Sequence, residues 1–139
     1  MIHGVVTNAG PLMVFAKLNI LHLKEVCGKP VFPRSVWEEC VTAGIRRGYS
    51  DAYTLRSFLA QNYWYPEGSI VIPAHLSSAN LDLGEKEAIA LALSHNAMLL
   101  MDEERGRHVA RKNGLSVHGS LWVLIKSYRR GLITEDQLL

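Results

Sequence analysis

Apolar positions along this chain fall into two alternating patterns. Val5-Val6-Thr7 and Met98-Leu99-Leu100-Met101 are short continuous apolar runs of strand length, and Pro30-Val31-Phe32-Pro33, Ile70-Val71-Ile72-Pro73 and Ser116-Val117-His118 have similar character. Between them the apolar residues recur at helical spacing. Leu12, Phe15, Ala16 and Leu18 predict a first helix, and Ile20 to Val26 a second that stops at Gly28. Further helices are expected from Ser35, from Ser50 or Asp51 to about Trp64, from Glu85 to His95, from Glu103 to Lys112 closed by Asn113-Gly114, and from Ser120 to Arg129-Arg130-Gly131. Pro73 cannot donate to a ladder, so the Ile70–Pro73 run is expected at an edge or periphery. Strands alternating with helices predict a parallel sheet.

The same periodicity sorts the acidic residues. With Val36, Cys40 and Ala43 marking the inward stripe of their helix, a step of about 100° per residue puts Glu39 on its border and Glu38 well away. Glu85 falls in the middle of the stripe formed by Ala88, Ile89, Ala92 and Leu93, a place hard to explain by capping, whereas Glu87 points oppositely. A carboxylate on a buried face requires a partner. Asp102 directly follows an apolar strand and Asn8 ends the first one, so both should emerge at the carboxyl edge of the sheet, where open α/β folds place their sites. Alanines at 88, 90 and 92 let the Glu85 helix approach that edge closely. Carboxylates joined by an amide form an oxygen donor set suited to a hard divalent cation, chemistry commonly directed at phosphate.

Each acid alone has a plainer explanation. Asp102 can cap a helix, Glu103 and Glu104 suit the positive end of a helix dipole, and Asn8 suits a turn. His3, His22, His75, His95, His108 and His118 are scattered and form no nucleophilic triad with a serine and an acid. Asn8-Ala9-Gly10-Pro11 carries neither the dinucleotide nor the Walker glycine pattern. Tyr63, Trp64 and Tyr65 read first as a hydrophobic anchor and second as a stacking surface for bases.

Composition narrows the picture further. A chain of 139 residues is expected to form a single domain over 1–139, able to bury roughly two-thirds of its unfolded surface. Cys27 and Cys40 suggest reduced packing residues rather than a disulfide or zinc framework. Neither a signal peptide nor a membrane span is legible, which leads to the expectation of a cytoplasmic protein. The net charge of +2 does not argue for nucleic acid, but Arg105, Arg107, Arg111, Lys112, Lys126, Arg129 and Arg130 concentrate in the C-terminal third. Thr134 followed by Gln137 resembles a capping box, so a last helix begins there; either it is short or the natural chain is longer.

Taken together, Val5-Val6-Thr7-Asn8-Ala9-Gly10-Pro11-Leu12, Val36-Trp37-Glu38-Glu39-Cys40, the segment Leu83-Gly84-Glu85 to Ala92, the segment Met101-Asp102-Glu103 to Ala110, and Gly119-Ser120-Leu121-Trp122-Val123-Leu124 resemble PIN-domain proteins, in particular the compact VapC-like nucleases. The resemblance spans nearly the whole chain. It implies a three-layer α/β/α sandwich with a mainly parallel central sheet, and an acidic pocket that binds Mg²⁺ or Mn²⁺ for RNA hydrolysis. The metal-binding and catalytic positions it implies are Asn8, Glu39, Glu85 and Asp102, with Glu103 as an auxiliary ligand. Asn8 departs from the pattern, which has an acid there; an amide oxygen can ligate a hard cation but brings no charge and no base.

Arg105, Arg107, Arg111 and Lys112, directly after the acidic cluster, are the expected RNA contacts, against the plainer reading of a solvated helix face. The resemblance further implies a homodimer and a small antitoxin protein as partner, with the chain as the toxin of such a pair. The alternative is a non-catalytic PIN-like module that binds RNA or protein, Asn8 marking a decayed site. A phosphotransfer domain fits worse, because it wants an aspartate nucleophile where this chain has Asn8 or Pro33.

Overall fold

The computed structural model describes residues 4–17 and 29–138. The helix expected over Ile20 to Val26, together with Cys27, lies outside them.

Strand β1 (Val5–Thr7) leads into helix α1 (Ala9–Lys17), and β2 (Pro30–Val31) into α2 (Arg34–Trp37). The backbone continues from α2 through a widened π turn (Glu38–Thr42) into α3 (Ala43–Arg46), then α4 (Ser50–Gln61) and the single turn α5 (Ala74–Ser77). The second half runs α6 (Leu83–His95), β3 (Met98–Leu100), α7 (Glu104–Lys112), β4 (Val117–His118), α8 (Ser120–Arg129) and α9 (Glu135–Leu138).

The four strands pair in parallel in the order β2-β1-β3-β4. Register sets Val5 beside Met98, Val6 beside Leu99 and Thr7 beside Leu100. Because successive strand residues point to opposite faces, this pairing separates two cores. Val5, Met98 and Leu100 face α1, the α2–α3 segment, α4 and Val123 of α8, whereas Val6 and Leu99 face the alanine-rich side of α6, with Ala110 of α7 and Val117 of β4. Helices on both faces of a parallel sheet make three layers, the architecture expected. Among the described residues no helix is long and apolar enough to cross a membrane.

Topology fixes where a site can form. From β1 the chain moves outward to β2 on one side, then returns to β3 and β4 on the other, so the strand order reverses between β1 and β3. The crevice beyond the carboxyl ends of these two strands is the switch point at which open α/β sheets bind ligands.

Several expectations need correction. Ile70-Val71-Ile72 forms no strand: Ile70 and Ile72 pack on the second core while Val71 is 85% exposed, so the alternation is met by packing without a ladder. Parallel bridging in that region comes earlier, between Pro33 and Glu67, with Arg34 N–H donating to Glu67 O and Glu67 N–H to Phe32 O, both at 2.8 Å. Neither Ser50 nor Asp51 caps α4; Tyr49 holds the cap position, and Asp51 pairs with Lys17 at 3.3 Å. That helix stops at Gln61, short of Trp64, where Tyr63 takes a positive φ of 57°. Trp64 is indeed an anchor, buried edge-on against Phe58, with ring centroids 5.3 Å apart.

Candidate active site

Asn8, Ala9, Gly10, Glu39, Asp82, Glu85, Asp102 and Glu103 line one cavity of about 420 Å³ at the switch point. Asn8 follows β1 directly and its N–H donates to Leu100 O of β3 at 2.9 Å, which ties the residue to both strands flanking the crevice. Its side chain is 7% exposed, and its amide oxygen is buried with no hydrogen-bond partner among the described residues. A buried acceptor left without a donor normally costs stability, so an unpaired oxygen in a cavity of acids suits a cation.

Asp102 emerges past β3, but it does not cap α7; Glu103 occupies that position and makes no side-chain cap bond. Asp102 instead turns to the next helix. Its Oδ1 accepts from Ser120 N–H at 2.7 Å and its Oδ2 from the Ser120 hydroxyl at 2.6 Å, so Asp102 satisfies the start of α8. Gly119, the cap residue there, has no side chain to offer.

Glu85 is 8% exposed, and here capping explains what the periodicity left unexplained. Asp82 caps α6 by accepting from Glu85 N–H at 2.8 Å, and Glu85 Oε1 accepts from Asp82 N–H at 3.1 Å, a reciprocal capping box. Asp82 is thus a further acid of the cavity that the sequence reading passed over, although the Asp-x-x-Glu spacing signals it. Glu39 sits in the π turn, a widened turn often found at functional sites.

Burial pushes the Glu39 carboxyl above the usual range, with Asp82 and Glu85 adding repulsion. Glu85 is raised by burial and by the charges of Asp82 and Glu103, against a lowering contribution from its backbone bond to Asp82. Cys40, free and buried behind Glu39, is pushed up to about 12 by burial and by the Glu39 charge, which fits an inert packing thiol.

Four glycines make room for these oxygens. A Cβ on Gly10 would stand 2.9 Å from Asp102 Oδ2, one on Gly119 2.8 Å from Asp102 Oδ1, one on Gly84 3.3 Å from Glu39 Oε2, and one on Gly106 3.1 Å from Glu85 Oε2. None of the four was singled out from the sequence as part of the site; their positions in or beside the helices that carry the acids were the available signal.

The crevice therefore brings together Asn8, Glu39, Glu85, Asp102 and Glu103 and adds Asp82. The donor set is all oxygen, the kind a hard cation takes. Among the described residues no three ligating side chains form a ready-made metal cage; Asp102 and Glu85 are turned toward their hydrogen bonds with Ser120 and Asp82.

The four basic residues make different local contacts. Arg105 lines an adjoining cavity of about 490 Å³ and reaches Asn80 O at 3.4 Å, Arg111 pairs with Glu104 at 3.6 Å, and Lys112 is exposed. Arg107 alone borders Asp102: a Cβ on Gly119 would lie within 3.0 Å of an Arg107 terminal nitrogen and of Asp102 Oδ1 alike. The Arg107 Nε is buried without a partner among the described residues.

An acid-lined crevice at the switch point of a parallel three-layer sheet defines a class of α/β proteins with oxygen-ligand sites. Residues 4–138 match a family described as a PIN domain, and the chain belongs to that family. No curated protein matches it.

Proposed function

We propose that the protein is a ribonuclease of the VapC-like PIN type, dependent on Mg²⁺ or Mn²⁺, that hydrolyses RNA phosphodiesters as the toxin of a toxin–antitoxin pair. The observation that carries this reading is the orphaned Asn8 amide oxygen, buried at a cavity otherwise lined by acids. Glu39, Glu85 and Asp102 with Asn8 would hold the ion, and Glu103 and Asp82 stand near enough to assist. Once bound, the ion supplies an acidified water and neutralises charge on the phosphate.

The protein's own groups do the rest. Ser120 fixes the rotamer of Asp102 through both oxygens while leaving each a free lone pair. Arg107, beside Asp102, offers a positive charge to the phosphate and offsets the repulsion of the acids. The pKa values of Glu39 and Glu85 are raised chiefly by burial and further by neighbouring acids, and a divalent ion would relieve both.

A second reading, a non-catalytic module that binds RNA or protein, is favoured by a different observation: Asp102 and Glu85 are already engaged by Ser120 and Asp82, and Asn8 brings no charge. An RNA-cleavage assay separates the two. The nuclease cuts with Mg²⁺ or Mn²⁺ and stops in EDTA, and the Asp102→Asn protein fails in either; the binding module cuts in none of these conditions.

A further inference from the structure

Beside the crevice lies an arrangement that hydrolysis does not use. His118 ends β4 and Trp122 stands just over one turn farther along, in α8; their rings stack with centroids 4.1 Å apart and planes 13° from parallel. Lys126, one turn on, sets its ammonium 5.3 Å from the Trp122 ring centroid. Burial lowers the pKa of His118, and the charges of Arg107, Lys126 and Arg111 lower it further, so three cations lie near enough to act on this ring. Packing on the first core accounts for part of the Trp122 surface, since the residue is only half-buried. Next to it Leu121 is 64% exposed. The stack is two residues from Ser120, at most about 7 Å of extended chain, and Ser120 holds Asp102 in the crevice.

We propose that the His118–Trp122 stack is a nucleobase platform: one base of a single-stranded RNA stacks there while the strand's neighbouring phosphate enters the acidic crevice. The proposal rests on the reading of the crevice as an RNA site. Every base has a π face, so an aromatic platform among cations binds a single strand with little sequence preference, whereas bases inside a duplex are not free to stack on it. Lys126 covers Trp122 in the absence of RNA through a cation–π contact; an incoming base takes its place on the ring and the ammonium moves to a phosphate. Arg107, whose charge acts on His118, also borders Asp102, so one cation serves both the platform and the crevice.

The test uses the whole chain in EDTA, so that binding is read without cleavage. A fluorescein-labelled single-stranded 12-nucleotide oligouridylate is titrated by anisotropy at fixed low salt, alongside an oligomer of the same phosphates lacking bases. The wild-type protein should bind the abasic strand about tenfold more weakly, Trp122→Leu should lose about tenfold on the oligouridylate and no longer distinguish the two strands, and Trp122→Phe should stay within about threefold of wild type. Tryptophan emission should be quenched on binding in the wild type and much less so in Trp122→Phe. Should Trp122→Leu fail to fold by its melting curve, His118→Leu serves instead, with the same loss expected. The proposal is overturned if the wild type binds base-bearing and abasic strands equally, if the leucine variants bind as the wild type does, or if duplex RNA binds better than the single strand. Base discrimination without metal-dependent cleavage would sink the nuclease reading and leave the platform standing; cleavage without discrimination would do the reverse.

Discussion

Ser120 holds both carboxylate oxygens of Asp102, through its amide at 2.7 Å and its hydroxyl at 2.6 Å, and so joins the exit of β3 to the start of α8. The serine belongs to neither the acid set nor the basic residues, yet it fixes the direction in which Asp102 presents its lone pairs to the crevice.

Ser120→Ala removes the hydroxyl bond and leaves the backbone one. A hydrogen bond to a charged group contributes about 1.5–3 kcal/mol, so the melting temperature should fall by several degrees. Metal affinity should fall about tenfold or more, as for other groups that orient a ligand. Ser120→Thr, which keeps the hydroxyl, should recover both. Unchanged metal affinity in the alanine protein would show that Asp102 is not held for a ligand.

Gly10→Ala separates stability from function in the opposite way. Gly10 lies in α1, where alanine is favoured over glycine by up to about 1 kcal/mol, but the added methyl would sit 2.9 Å from Asp102 Oδ2. Because Oδ2 also accepts the Ser120 hydroxyl, the strain at that clasp offsets the helical gain, and the variant should melt within a few degrees of wild type while metal affinity and cleavage drop about 10- to 100-fold. Loss of stability with activity intact would refute this geometry.

Glu39 and Glu85 both have pKa values raised above the unfolded range, chiefly by burial. The folded protein therefore binds more protons than the unfolded chain between the ordinary carboxylate pKa and the raised one. Stability from these two groups is complete below the ordinary value near 4.5 and is lost as pH rises through the folded pKa. Thermal melts in EDTA should show this decline from about pH 4.5 upward, and saturating Mn²⁺ should flatten or reverse it, because the ion binds the deprotonated acids. A Glu85→Gln protein should lose part of the slope; a slope identical to wild type would place the titration elsewhere.

Asn8→Asp adds one charge at nearly constant volume to a crevice that already holds Glu39, Asp82, Glu85, Asp102 and Glu103. In EDTA it should lower the melting temperature through repulsion, and with Mn²⁺ it should tighten metal binding and speed cleavage. The same sign of effect on stability with and without metal would contradict a metal role for position 8.

The parallel sheet, its three layers and the gathering of Asn8, Glu39, Glu85 and Asp102 were legible because they follow from local periodicity and from strand ends that a parallel sheet aligns. Val5, Val6, Leu99 and Leu100 read as buried strands, and the strands are where the apolar runs put them. Ile70-Val71-Ile72 misled because alternation records which side is buried and not whether a neighbouring strand is free to pair. Glu85 was read as unexplained by capping because its partner Asp82 precedes the apolar stripe used to find it. The Ser120–Asp102 clasp and the His118–Trp122 stack bring together side chains from different elements, and no periodicity along one element carries such pairs. The expected homodimer and antitoxin depend on surfaces of other chains, which periodicity along this one does not encode.

The central claim is that the crevice holds a divalent ion, and calorimetric titration of Mn²⁺ into the metal-free protein tests it most directly. The account predicts saturable binding at near-neutral pH with one or two ions per chain, lost by at least about tenfold in both Glu85→Gln and Asp102→Asn and strengthened in Asn8→Asp. No saturable heat up to millimolar Mn²⁺, or binding unchanged in both Glu85→Gln and Asp102→Asn, would contradict it.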